Sequence, residues 1–328
     1  MDTSNLPAAV AEYLTDNRSE LFEFTETLVG YNTQNPPGRT VDIVEWLENT
    51  LDEPALSVKR FEVDPEKPNL VATLPGRGDR TLCFNGHVDT VPFDESDWSY
   101  DPLGERDGKR IYGRGAADMK GAVAAMLQVA IAYARTGTKP PVTLQFAFVS
   151  DEETGGDAGL TTVLETTEFD PEACVVGETT ARNGRYSVSV ADRGNIWLTI
   201  DAEGTAAHGS RPMIGTNAID RLTAAVEQLR SEFGQRELTI DAAMDGIIDE
   251  SIGFYEPEAG AEATRELYRY PTINLGIIEG GTAINTVPAA ACARVDIRLT
   301  AGADTKESLR SIRNCLADID GIEIADIS

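Results

Sequence analysis

A chain of 328 residues with 41% hydrophobic content has enough apolar material for two buried cores and is too hydrophobic for wholesale disorder. Its 55 acidic against 28 basic residues give a formal charge of -27 and a pI of about 4.3, a surface that repels nucleic acid and anionic membranes alike. The acids run along the whole chain rather than forming a tail. Adaptation to high salt, where screening over a few ångströms removes the self-repulsion, is therefore preferred over a binder of cations or basic ligands.

Residues 1–20 are polar and acidic, without the apolar run of a secretory signal, and no stretch approaches the roughly 20 apolar residues of a membrane span. The expectation is a soluble, cytoplasmic protein. Cys83, Cys174, Cys292 and Cys315 are far apart in apolar contexts and lack CxxC spacing, which reads as four buried free thiols. Residues 19–30 have the pattern of an amphipathic helix ending at Gly30. Asn35-Pro36-Pro37-Gly38 is a rigid loop, and a second helix is predicted over 41–51. Strand-like runs follow at 56–63, 69–74, 80–84, 143–150 and 173–176, with a long helix over 121–136 between the third and fourth. Strands alternating with helices predict an α/β domain over residues 1–185, a mixed sheet with helices on both faces.

The pattern changes after Asn183-Gly184. Residues 186–190 and 196–202 read as half-buried strands, followed by a helix at 217–233, strands at 272–278 and 290–299, a helix at 305–316 and a strand at 322–327. This order predicts a smaller α+β domain over 186–328, its sheet covered on one side by two helices. The acidic stretch 256–266, rich in Ala and Gly, reads as a loop or frayed helix.

The chemistry concentrates at predicted strand ends. His87 follows Thr81-Leu82-Cys83-Phe84 inside Asn85-Gly86-His87-Val88-Asp89-Thr90-Val91-Pro92, and ligands of open α/β sheets bind outside such ends. A neutral imidazole held by Asp89 makes a good metal ligand. Alone, the stretch fits a hydrogen-bonded turn histidine equally well. Asp118, in Gly113-Arg114-Gly115-Ala116-Ala117-Asp118-Met119-Lys120-Gly121, precedes the long helix, where simple capping is the competing reading. Glu152 and Glu153 follow the apolar strand at 143–149 in Ser150-Asp151-Glu152-Glu153-Thr154-Gly155-Gly156, and Glu178 follows Cys174-Val175-Val176-Gly177. Carboxylates at the ends of buried strands are costly unless a cation or a catalytic proton stabilises them; a solvated acidic turn is the alternative. One histidine and several carboxylates at successive strand ends point to a pair of divalent ions.

These motifs resemble the zinc amidohydrolase family that includes acetylornithine deacetylase, succinyl-diaminopimelate desuccinylase and glutamate carboxypeptidase. The resemblance runs from about Leu21 to the C-terminus. It implies two metal ions, zinc or in its place cobalt or manganese. His87 and Glu178 would bind one and Glu153 the other, with Asp118 bridging, Glu152 as general base and Asp89 orienting His87. It implies further that His208, in Gly204-Thr205-Ala206-Ala207-His208-Gly209-Ser210-Arg211-Pro212, reaches a partner subunit's site and stabilises an oxyanion, so that the second domain acts as a dimerising lid. Asn285, Arg298 and Arg193 would hold the substrate carboxylate. The implied reaction is hydrolysis of the amide of an N-acyl amino acid or small peptide, deacylation being preferred.

One ligand is missing from this correspondence. The family closes its second metal site with a histidine from a segment after the lid, whereas His87 and His208 are the two histidines here and the sequence runs to Ser328. A truncated product, a second polypeptide and a single-metal or inactive descendant are the three explanations. The matching expectations are an exposed sheet edge and a destabilised catalytic domain. The rival function is a non-catalytic protein that keeps the fold for metal binding or dimerisation.

Overall fold

In the computed structural model, which describes residues 5–166, 169–180 and 184–328, the chain divides into one unit ending at Ser187 and a second starting at Val188. The first unit contains helices α1 (Ala8–Asp16), α2 (Arg18–Val29) and α3 (Val41–Thr50), then strands β1 (Ser57–Phe61), β2 (Asn69–Leu74) and β3 (Thr81–His87). A small hairpin of β4 (Glu105–Asp107) and β5 (Arg110–Tyr112) precedes α4 (Lys120–Thr136), β6 (Thr143–Val149), α5 (Leu160–Leu164) and β7 (Ala173–Val176).

The main sheet runs β1-β2-β6-β3-β7 and is mixed. β1 and β2 pair antiparallel, as do β2 and β6, while β3 is parallel to both β6 and β7. The last six residues of β6 are buried because they pack on both sides. Leu144, Phe146 and Phe148 join a core with Leu28, Ile43, Leu47 and the apolar stripe of α4, whereas Ala147 and Val149 meet Val163 and Phe169 on the opposite face. A near-continuous apolar run is what a strand buried on two faces requires. Helices lie on both faces as expected, but unequally: α1 to α4 line one side, and only the short α5 lies on the other among the described residues. Among the described residues β7 pairs on one side only, with β3, and Val175 and Val176 are exposed.

The second unit contains β8 (Gly194–Glu203), β9 (Ala207–His208), α6 (Ala218–Gln228), α7 (Asp245–Ala259), α8 (Ala261–Arg269), β10 (Thr272–Gly280), β11 (Thr286–Val287), β12 (Ala290–Leu299), α9 (Thr305–Ala317) and β13 (Ile322–Ile327). Its antiparallel sheet runs β10-β12-β8-β13. Alternation sorts β8 into Ile196, Leu198, Ile200 and Ala202, which pack with Leu222, Val226, Ile312 and Leu316 of α6 and α9, and Trp197, Thr199 and Asp201 on the other face.

Three sequence expectations change. Residues 186–190 form no strand, and Tyr186, Val188 and Val190 are exposed: alternation alone cannot make a strand without a neighbour to complete its ladder. Asn183, where the sequence pattern changes, lies outside the described residues. Residues 256–266 are helical, belonging to α7 and α8, which meet at Gly260 with φ 84°. The Ala, Glu, Arg and Leu content favours helix there, and the single glycine only breaks it in two. Of the cysteines, only Cys83 is buried; Cys174 is exposed because β7 is an edge strand. No described helix is long and apolar enough to cross a membrane.

Candidate metal centre

Because β6, β3 and β7 are neighbours and parallel, their C-terminal ends open on one edge of the sheet. That edge receives His87 from the last position of β3, Glu152 and Glu153 from the turn after β6, and Glu178 two residues beyond β7. His87 is 2% exposed. Its Nδ1 lies 3.0 Å from the main-chain oxygen of Asp89 and 3.5 Å from the Asp89 carboxylate. A proton on Nδ1 serves both contacts, so Nε2 presents its lone pair on the opposite side. There it faces Asp118 Oδ1 at 3.1 Å, Glu178 Oε1 at 3.1 Å and Glu152 Oε2 at 3.9 Å.

Asp118 reaches this position through the entry to α4. The Met119 side chain is fully buried and its sulfur accepts the His87 amide at 3.3 Å. A Cβ on Gly86 would lie 2.8 Å from Met119 Cε, and one on Gly177 2.9 Å from it. Glycine at both strand ends therefore lets Met119 lie against them and hold Asp118 beside His87. After β6 the chain turns at Asp151, with φ 66°, a left-handed conformation that Asp tolerates better than most residues. The turn aims two main-chain amides at Asp89: Glu152 N donates to Oδ1 at 3.2 Å and Glu153 N to Oδ2 at 3.1 Å. Glu153 Oε1 in turn accepts from Val91 N at 3.1 Å.

Two groups of possible ligands share the imidazole: His87 with Asp118 and Glu178, and His87 with Glu152 and Glu153, the ligand atoms of each lying within 4.8 Å of one another. The first coincides with the set inferred for one ion. In the second, Glu153 is grouped with His87 and Glu152 rather than with Asp118. The crowding has an electrostatic cost. Burial raises the Glu178 carboxyl, and the Asp118 charge raises it further. Burial likewise raises Glu153, outweighing the attraction of His87. Burial pulls His87 down, but the hydrogen bond it donates to Asp89 and the charges of Asp89, Glu178 and Glu152 lift it to about 9. Burial also works against ionisation of Asp89, yet hydrogen bonds from His87, Asn35 and the Glu153 amide hold its carboxyl below the ordinary value. This excess of negative charge around one imidazole nitrogen, with oxygen and nitrogen donors only, fits a divalent cation.

Several supporting residues were not legible in the motifs. Asn35, in the Pro-Pro loop, donates from Nδ2 to Asp89 Oδ2 at 2.8 Å, to Thr154 Oγ1 at 3.0 Å and to Asp151 Oδ1 at 3.1 Å. Lys67 pairs with Asp151, and Ser150 Oγ lies 2.6 Å from Thr40 Oγ1. Lys120 is 1% exposed and donates to the Tyr31 carbonyl at 2.8 Å. The only sequence signal for Asn35 is a polar amide placed in an otherwise rigid loop.

The family model for Peptidase family M20/M25/M40 matches residues 83–285, well over half of the chain. The chain belongs to this family. It is 28% identical over 281 residues to a probable succinyl-diaminopimelate desuccinylase of Staphylococcus epidermidis, covering 83% of this chain and 65% of that protein. To an acetylornithine deacetylase of Vibrio campbellii it is 31% identical over 286 residues, covering 85% of this chain and 66% of that one. The chain thus spans just under two thirds of the curated relatives it matches. Its fold resembles an M20 family metallo-carboxypeptidase from Sulfolobus solfataricus, with a TM-score of 0.67 at 21% identity over 94% of this chain and 77% of that one.

The remaining candidate residues of this M20 family member lie in the second unit, at two ends of its sheet. His208 is exposed on β9, which pairs with β11, and Gly209 N donates to Asn285 O at 2.6 Å, so the His208 and Asn285 loops are adjacent. The His208 Nδ1 accepts from the Ser210 amide at 3.2 Å, which leaves the ring proton on Nε2. Arg193 donates to the Arg298 carbonyl at 3.3 Å, and Arg298 Nε pairs with Asp296 at 2.9 Å. Asn285 precedes the start of β12 and Arg298 is near its end. The eight residue steps of strand from Ala290 to Arg298 span roughly 26 Å, so within one chain Asn285 and Arg298 do not meet.

Proposed function

We propose that the chain carries the metal-dependent centre of a hydrolase that cleaves the amide bond of an N-acyl amino acid, with small-peptide cleavage as the less favoured reaction. The observation that carries this reading is the convergence of Asp118, Glu178 and Glu152 on the one free nitrogen of a buried, oriented imidazole. His87, Asp118 and Glu178 would hold one divalent ion and Glu153 would contribute to a second. Bound ions of this kind, zinc or in its place cobalt or manganese, polarise a carbonyl and acidify water. Asp89, backed by Asn35, keeps Nε2 of His87 directed at the centre. Glu152, half-exposed and less constrained than its neighbours, takes a proton from the attacking water and returns it to the leaving amine. His208 donates from Nε2 to the developing oxyanion.

In this reading the second unit is a lid that joins two copies into a homodimer. The separation of Asn285 from Arg298 supports contributions from different copies to one substrate carboxylate. The acidic surface and the lack of a described membrane-spanning helix support a cytoplasmic protein working at high salt.

The test is metal analysis combined with assays on N-acetyl and N-succinyl amino acids. Bound divalent metal with turnover that is lost in Glu152→Ala supports the proposal. Metal binding without turnover on any of these substrates or on dipeptides sinks it, and supports the rival reading of a non-catalytic metal-binding or dimerisation protein. That rival is favoured by one observation: both groups of possible ligands share His87, so among the described residues the second ion has no histidine of its own.

A further inference from the structure

Strands β3 and β7 pair in parallel with Cys83 directly opposite Cys174. Neighbouring strands lie about 4.8 Å apart, inside the Cα separation of roughly 4.4–6.8 Å that a disulfide spans. Residues opposite each other in register point to the same face, so the two thiols share one side of the sheet. Cys83 is fully buried among Val71, Ala147, Val149 and Phe169, whereas Cys174 is exposed on the last strand of the sheet. β7 has only four residues and pairs with β3 alone among the described strands, so little resists the small shift that a bond between the sulfurs needs. Cys292 and Cys315 have no such partner: Cys292 sits opposite Asp201 and Glu279 on β12, and Cys315 is on α9.

We propose that Cys83 and Cys174 form a peroxide-reactive dithiol, with Cys174 as the attacking and Cys83 as the resolving thiol. The Cys174 thiolate attacks one oxygen of hydrogen peroxide; the S–O bond forms, the O–O bond breaks, and the departing hydroxide takes a proton from solvent to become water. Cys83 Sγ then attacks the sulfenic sulfur. The S–S bond forms, the S–O bond breaks, and the oxygen leaves as a second water, carrying the Cys83 proton. The two sulfurs lose two electrons and the peroxide gains them. A small-molecule thiol reductant reverses the reaction by exchange.

The electrostatics agree with this division of roles. The facing Cys83 thiol brings Cys174 down to about 7 against the opposing effect of burial, while the same proximity and burial raise Cys83. Burial raises Cys292 and Cys315. The cross-link would tie together the two strands whose ends deliver His87 and Glu178, each four residues beyond its cysteine.

The experiment treats the whole reduced chain with stoichiometric hydrogen peroxide at pH 7, then counts free thiols and maps peptides by mass spectrometry. The expected result is a loss of two of the four thiols and a Cys83–Cys174 linked peptide pair that a thiol reductant reverses. Cys83→Ser should halt at a Cys174 sulfenic acid captured by dimedone. Should that variant fail to fold, iodoacetamide kinetics on the wild-type chain give an independent readout, with Cys174 labelled at least about tenfold faster than Cys292. Oxidation of Cys292 or Cys315 ahead of Cys174, or peroxide consumption without the linked pair, overturns the proposal. None of these outcomes depends on hydrolytic activity, so they stand apart from the test of the metal centre.

Discussion

Replacing Asp89 by asparagine tests the physical account of the centre most directly. The Asp89 carboxylate is fully buried and accepts from Asn35 Nδ2 and from the Glu152 and Glu153 amides, with His87 Nδ1 3.5 Å away. Asparagine has the same shape but only one acceptor oxygen. Whichever way its amide is turned, an NH2 group faces either the Glu152 amide and His87 or the Asn35 and Glu153 donors. One or two charge-assisted hydrogen bonds at about 1.5–3 kcal/mol each are lost, so the expected destabilisation of the first unit is about 3 kcal/mol. His87 also loses the charge that makes it a strong ligand, which should weaken metal binding roughly 10–100-fold. Urea unfolding of the metal-free chain measures the first effect and chelator competition with zinc the second. A metal-free midpoint equal to wild type, together with unchanged zinc affinity, would refute the reasoning.

Glu152→Gln should lower kcat by roughly 100-fold or more while leaving metal content and the urea midpoint near wild type, since Glu152 is exposed and supports no buried network. Because His87 is lifted to about 9 in the metal-free chain, zinc uptake at pH 7 should release about one proton, and affinity should fall about tenfold per pH unit below 9. Calorimetry in buffers of different ionisation enthalpy checks this, and buffer-independent heats would contradict it. The Asp151 carboxyl, which burial tends to raise, is held at about 2 by hydrogen bonds from Lys67, Asn35, Thr154 and the Ala158 amide. Its folded value is thus depressed, so its contribution is present above the ordinary carboxylate value near 4 and disappears as pH falls through 2. Lys67→Met should flatten that acid limb of the stability curve. The net charge of -27 predicts an unfolding midpoint that rises with KCl between roughly 0.1 and 2 M; a salt-independent melt would argue against a salt-adapted surface.

Much of the centre was legible because its residues occupy motifs at strand ends, where apolar runs stop and acids begin. His87 after Cys83-Phe84, Glu152 and Glu153 after Val149, and Glu178 after Val176 each show that change of composition. Asn35 and Lys67 were illegible for the opposite reason. A loop amide and a single lysine have no periodic or compositional mark, and their role exists only because Asp89 and Asp151 arrive beside them from 54 and 84 residues away. Residues 186–190 misled because alternation records the chance of forming a strand and not the presence of a neighbour. Residues 256–266 misled because glycine and acid content obscured good helix formers on either side of Gly260.

Local chemistry along the chain determined the elements and the candidate ligands: apolar runs long enough for buried strands, glycines where side chains could not fit, and acids at the ends. The tertiary structure decided which of those acids share one imidazole and which thiols face each other. The parallel order β6-β3-β7 brings three strand ends to one edge and sets Cys83 opposite Cys174. Strand order is set by long-range pairing, and no local pattern encodes the neighbour that a strand will find.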